Sequence, residues 1–280
     1  MQALIKLVDS IRKENPYTTS GDLVNIVREY LQIAILKSIY QSKYGQDLSF
    51  IGGTCLRICY DLKRYSEDLD FALDARTADY DFQSLVMRAK KDLALRNIEA
   101  DAKISEDKTV QKAFLKVTNV LETLGLSIVK GQKLHIKIEV DTNPVNIKYG
   151  QRESFFVTRH NEIFPILKHD LETLFAGKVL AIMCRPYRRG RDFYDLIWYL
   201  NRKAKMNLAY LNEGLRMAKS SDAFSGEHAV LERIEEIVAE PKPDFVIDDI
   251  GRFLEDPKEE VWIKRYTEVF HQLKEARLSG

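Results

Sequence analysis

The clearest alternation of apolar and polar positions in the chain is LHIKIEVD, residues 134–141. Ile136, Ile138 and Val140 fall on one side, and His135, Lys137, Glu139 and Asp141 on the other. A period of two predicts a strand with one buried face. A period near 3.6 governs Leu23, Ile26, Val27, Tyr30, Leu31 and Ile35, predicting a helix from Ser20, its N-cap, to about Tyr44. The short apolar run Leu48–Ile51 predicts a strand that enters the pair Gly52-Gly53, with a helix from Thr54 to about Asp61. Further strands are expected at Leu69–Leu73, twice between about Glu99 and Val120, at Phe155–Thr158 and at Ile163–Leu167. A helix is expected from Tyr80 to Arg96. From Asp170 onward every well-patterned segment is helical. Leu171, Leu174, Phe175, Val179 and Ile182 make one stripe, and Phe193, Leu196, Ile197 and Leu200 another. Strands mixed with helices, then helices alone, predict an α+β, bilobed protein. A mixed-sheet lobe over 1–168 would be followed by a helical lobe over 169–280.

Composition narrows the class. The chain has 280 residues, 45% hydrophobic and 30% charged, which suits a globular protein with a full core. No apolar run is long enough to span a bilayer, and the amphipathic N-terminus is unlike a signal peptide, so no membrane partner and a cytoplasmic location are expected. Cys55, Cys59 and Cys184 cannot all pair and read as reduced core thiols. The net charge of +1 excludes a global basic field; the densest basic stretch is RPYRRGR, with Arg185, Arg188, Arg189 and Arg191.

Chemistry enters with SEDLDF. On a strand, Asp68 and Asp70 share one face while Leu69 and Phe71 share the other. Two such carboxylates repel unless a cation lies between them, and Mg²⁺ favours oxygen ligands of this kind. The alternative is a solvated strand edge. Upstream, a strand, Gly52-Gly53-Thr54 and a helix start present backbone N–H groups able to bind phosphate; the same sequence also makes a plain strand-to-helix turn. Glu139, mid-strand, is the expected third carboxylate of a two-metal arrangement, with Asp141 as the alternative near a turn. Lys178 falls on the inward side of its helix, where it needs a partner or must reach solvent. Asp192 and Asp195 open the next helix, where the dipole alone accounts for them.

The ordered set GGTCLR, RYSEDLDF, GK and RGRDFYDL resembles the AbiEii toxin family of nucleotidyltransferases, which includes the MenT toxins, within the polymerase-β-like superfamily. The resemblance covers about residues 45–200, beyond which the chain matches only as a helical tail. It implies a nucleotidyltransferase lobe and a helical lobe that closes a cleft. It implies that Gly52, Gly53 and Thr54 hold phosphates, that Asp68 and Asp70 hold Mg²⁺, and that Ser66 belongs to the nucleotide site. Lys178 would bind triphosphate. Asp192, or else Asp195, is the distal aspartate; Arg57 and Arg64 match basic positions common around the first motif, and Arg57 is counted in the nucleotide site. Cys55 departs from the small apolar residue usual in the family. The implied activity is transfer of a nucleotide from an NTP to an acceptor hydroxyl, with the tRNA 3′ end foremost. The implied context is a type IV-like toxin–antitoxin system with a cognate antitoxin. Transfer to a protein or small molecule, and nucleotide binding without chemistry, are the alternatives.

Overall fold

A computed structural model of the protein describes residues 1–75 and 79–278. Seven strands form one mixed sheet: β1 (Leu48–Ile51), β2 (Asp68–Leu73), β3 (Ala100–Ser105), β4 (Val110–Val117), β5 (Leu134–Asp141), β6 (Arg152–Arg159) and β7 (Glu162–His169). Their spatial order is β3-β4-β5-β2-β1-β7-β6. β2 runs parallel to β5 and antiparallel to β1, and β1 runs parallel to β7. Each strand expected from the sequence is present, the last two longer than the alternation alone marks.

Helices α1 (Gln2–Glu14), α2 (Ser20–Tyr40), α3 (Gly52–Tyr60), α4 (Phe82–Leu95) and α5 (Val120–Thr123) accompany the sheet. Two boundaries differ from expectation. The cap of α2 is Thr19, one residue before Ser20: its hydroxyl accepts from Asp22 N–H while the Asp22 carboxylate accepts from Thr19 N–H, a reciprocal capping box. The helix also stops at Tyr40. α3 starts at Gly52, two residues before Thr54, because Gly52 takes φ +78° and turns the chain at once. From Tyr30 to Leu36 every α2 residue is buried, Gln32 included. A helix apolar on nearly all sides belongs inside a protein.

The chain divides into two compact units. The first comprises residues 1–144 and 154–168; the second comprises 145–153 and 169–280. The second holds α6 (Leu171–Cys184), α7 (Gly190–Asn201), α8 (Leu208–Met217), α9 (Glu227–Val238), α10 (Pro243–Ile250), α11 (Glu260–Ile263) and α12 (Tyr266–Leu278). Asp170 caps α6 by accepting the Thr173 N–H at 2.9 Å. Aromatic pairs tie these helices together, closest where Phe175 stacks on Tyr199 with centroids 4.5 Å apart. The three cysteines are free, but only Cys55 is a core thiol; Cys59 is half-buried and Cys184 is exposed. Cys184 is the last residue of α6, where the apolar stripe has ended.

Inside the first unit, a buried ion cluster joins three elements. Arg57 of α3 donates from Nε to Glu29 of α2 at 2.7 Å and from Nη1 to the Leu62 carbonyl at 3.0 Å. Its guanidinium lies 4.3 Å from the Tyr65 ring centre. Arg159 and His160 approach the other Glu29 oxygen from the β6–β7 turn, at 3.7 and 3.2 Å. His160 and Asn161 both have positive φ, as a tight type I′ hairpin turn demands. Burial pushes the Glu29 carboxyl up, but His160, Arg57 and Arg159 outweigh it and hold it down at about 2.

A carboxyl depressed from 4.5 to about 2 stabilises the fold by about 3 kcal/mol above pH 4.5, and that stabilisation is lost as pH falls towards 2. Glu29→Gln also leaves Arg57 buried beside a neutral amide. The expected loss at pH 7 is about 3 kcal/mol or more, read by urea denaturation, and the urea midpoint of the variant should fall less than that of the wild type as pH drops from 4.5 to 2.

Candidate active site

The β2–β5 register brings the acidic residues together. Asp70 lies opposite Glu139, and Asp68 opposite Lys137, on parallel neighbouring strands. Lys112 of β4 faces Glu139 from the other side. Asp68, Asp70 and Glu139 each bring a carboxylate oxygen within 4.8 Å of the others, all three half-buried. Asp141 stands apart from this group; its Oδ1 accepts the Asn143 N–H at 3.0 Å and shapes the turn after β5. Burial, with Asp74 nearby, raises the Asp141 carboxyl above the usual range.

Two lysines contribute positive charge that the sequence alone did not single out. Lys137 Nζ lies 2.6 Å from Glu139 and 3.9 Å from Asp68, and Lys112 Nζ lies 3.0 Å from Glu139. Burial raises the Glu139 carboxyl, but its hydrogen bonds to Lys137 and Lys112 outweigh this and leave it lowered. Burial likewise works against the Lys137 ammonium; Glu139, Asp68 and Asp70 reverse that and raise its pKa. The alternation in LHIKIEVD placed Lys137 on the acidic face, which was the available signal.

The glycine pair is required by close approach. A Cβ at Gly52 would run into the Asp70 carboxylate, and one at Gly53 would lie 2.6 Å from Arg64 Nη2. Arg64 is buried and donates from Nη1 to the Tyr65 carbonyl at 3.0 Å. The Thr54 hydroxyl is fully buried and donates to the Asp68 carbonyl oxygen, tying the start of α3 to the start of β2. The Ser66 carbonyl accepts from Gln32 at 3.0 Å, and the Ser66 hydroxyl lies near Gly53. Arg57, expected at the nucleotide, is instead buried against Glu29, so Arg64 is the arginine at the glycine turn.

In the second unit, Lys178 of α6 reaches both aspartates of α7, 2.8 Å from Asp192 and 2.8 Å from Asp195. Arg185 takes the other Asp192 oxygen. Burial would raise the Asp192 carboxyl, but Lys178 and Arg185 outweigh it and hold it below the usual range. The alternatives Asp192 and Asp195 therefore converge on one lysine, beyond what a helix dipole requires. The expected arginine patch is largely engaged as well: Arg188 binds Glu240 at 2.8 Å, and Arg191 lies 3.7 Å from Asp249 and over the Phe253 ring.

A glycine turn into a helix is thus followed by a strand whose carboxylates meet a third acid on a parallel neighbour. Two solved structures share the fold. A candidate nucleotidyltransferase from H. pylori is 17% identical, with a TM-score of 0.52, covering 90% of this chain and 96% of its own. MenT4, a nucleotidyltransferase toxin from Mycobacterium tuberculosis H37Rv, is 16% identical, with a TM-score of 0.52, covering 96% of this chain and 89% of its own. Among curated proteins, none matches. The model of the AbiEii family, nucleotidyl transferase toxins of type IV toxin–antitoxin systems, matches residues 34–279, and the chain belongs to that family. The match runs far past residue 200, so the C-terminal helices are part of the family's body and more than a generic tail.

Gly52→Ala should destabilise the protein by at least about 1–2 kcal/mol, since φ +78° is strained for alanine and the methyl displaces Asp70; thermal denaturation reads the first effect. Lys137→Met should raise affinity for Mn²⁺, measured by electron paramagnetic resonance, while lowering the melting temperature of the metal-free protein. The reason is that the ammonium offsets the same carboxylate repulsion a divalent ion would.

Proposed function

We propose that the protein transfers a nucleoside monophosphate from an NTP to an acceptor hydroxyl, most directly at the tRNA 3′ end, as the toxin of a cytoplasmic toxin–antitoxin pair. The observation that carries this reading is the convergence of Asp68, Asp70 and Glu139 within 4.8 Å on the sheet face beside Gly52. Three carboxylates supply hard oxygen donors, the set that Mg²⁺ takes. A divalent ion held by these three residues would offset phosphate charge and ease deprotonation of the acceptor hydroxyl.

The chain's own groups divide the remaining work. Glu139, held ionised by Lys137 and Lys112, suits a ligand better than a proton acceptor. Gly52 and Gly53 let α3 begin beside the carboxylates, so the first backbone N–H groups of that helix are offered to phosphate oxygens. Arg64 and the Ser66 hydroxyl sit at that same turn, and they are assigned to the nucleotide. Thr54 positions rather than contacts, since its hydroxyl holds Asp68. Arg57 supports from the core. Within the second unit, Lys178 is the candidate phosphate-binding cation, with Asp192 and Asp195 fixing its ammonium. In the reaction the acceptor hydroxyl gives its proton to solvent, its oxygen bonds to the α-phosphorus, the bond from that phosphorus to the β-phosphate oxygen breaks, and pyrophosphate departs with the electron pair.

Incubation with Mg²⁺, total tRNA and each α-³²P-labelled NTP in turn tests the reading. Label should enter tRNA with a preferred nucleotide and vanish with Asp68→Ala. Label on protein instead would move the acceptor to a side-chain hydroxyl, and no label on any acceptor would overturn transfer altogether.

A further inference from the structure

Residues 185–189, Arg-Pro-Tyr-Arg-Arg, join α6 to α7. Tyr187 in this loop is 54% exposed, yet its ring is held in place. Arg189 donates from Nη2 to the Tyr187 hydroxyl at 2.9 Å, with its guanidinium carbon 5.2 Å from the ring centre. The Arg185 guanidinium carbon lies 5.8 Å from the same centre. Pro186 fixes its own φ just before the tyrosine. The loop is also anchored beneath, because Arg185 bonds to Asp192, which accepts from Lys178 at 2.8 Å. The ring therefore stands beside the buried cluster that the proposed function assigns to phosphate.

A large ring that is exposed, pre-ordered and framed by guanidinium groups suits a flat partner that carries negative charge. An unpaired nucleotide is such a partner: its base offers a π-face to tyrosine, and its phosphate offers charge to arginine. Duplex RNA keeps its base faces inside the stack, so only a single-stranded end or loop can use the ring. An acidic peptide would satisfy the arginines and leave the ring without a stacking partner. We propose that Tyr187, framed by Arg185 and Arg189, is a stacking platform for an unpaired base near the 3′ end of the RNA acceptor. This deepens the transferase reading, on which its choice of RNA rests.

The test measures binding without chemistry, by fluorescence anisotropy in the absence of NTP. Deacylated tRNA with its single-stranded 3′ tail is compared with the same tRNA trimmed of that tail. Tyr187→Ala should weaken binding of the intact tRNA about tenfold and leave the trimmed tRNA unchanged. Tyr187→Phe and Tyr187→Trp, which keep the ring, should retain wild-type preference for the tail. A 2-aminopurine at the RNA 3′ end should be quenched on binding to wild type and to the Trp variant, but not to the Ala variant. Equal affinity of wild type and Ala variant for intact tRNA would overturn the proposal. So would equal weakening on both RNAs, or an effect confined to the affinity for NTP. If wild type labels no tRNA but the tail-dependent loss is seen, the transferase reading fails and the platform stands. If wild type labels tRNA while the Ala variant binds the tail normally, the platform fails and the transferase reading stands.

Discussion

The pairing of β2 with β5 is the constraint on which the acidic face depends. It places Asp70 beside Glu139 and Asp68 beside Lys137, and it is enforced from the opposite face of the same strands. Leu69, Phe71, Ile138 and Val140 are all buried there. A slip of one residue by either strand would turn that strand's apolar pair to the polar side and drive its carboxylates into the core. Each apolar side chain so exposed costs about 2 kcal/mol, before the larger penalty of burying an ionised group. The hydrophobic pattern therefore fixes the chemistry without touching it. The carboxylates share the polar face because the core forbids a one-residue slip of either strand.

Repulsion within that cluster is managed locally. Lys137, two residues from Glu139 along β5, lies 2.6 Å from it, and Lys112, opposite on β4, lies 3.0 Å away on the same sheet face. The ammonium groups keep Glu139 ionised against the cost of partial burial. The glycine turn then contributes space. Asp70 and Arg64 each occupy the volume where a side chain at Gly52 or Gly53 would sit. The start of α3 can lie this close to a carboxylate strand only because both positions lack Cβ. Thr54 closes the arrangement by bonding α3 to the Asp68 carbonyl.

Most of the sheet and the acidic triad were legible in the sequence because they depend on period-two alternation, a local property. LHIKIEVD and SEDLDF carry their face assignments in neighbouring residues. What was not legible depends on partners distant in sequence. Arg57 reads as a basic residue near the glycine motif, but Glu29, 28 residues earlier, draws it into the core. Arg188 reads as part of the densest basic stretch, but Glu240, 52 residues later, claims it. The choice of Thr19 over Ser20 as cap was undecidable from residue type, since either hydroxyl can cap; the reciprocal bond with Asp22 settles it. Cys184 looked like a core thiol because its helix is apolar, yet it sits at the final position, beyond the stripe.

The Lys178 cluster shows how a buried ion network can serve specificity of shape. A lysine and two aspartates beneath the surface are not a favourable choice for stability alone, since well-packed apolar residues of similar volume often do as well or better. What the ions add is a fixed geometry. Lys178 bonds both aspartates of α7, so the register of α6 against α7 is set by two hydrogen bonds of 2.8 Å. Arg185, the first residue after α6, bonds the same Asp192 and so fixes the path of the loop as it leaves the helix. Arg185 and Arg189 in turn frame Tyr187. Order passes from a buried pair of carboxylates through Arg185 to the loop that carries an exposed ring. An apolar core could pack these helices as tightly, but it could not aim the loop.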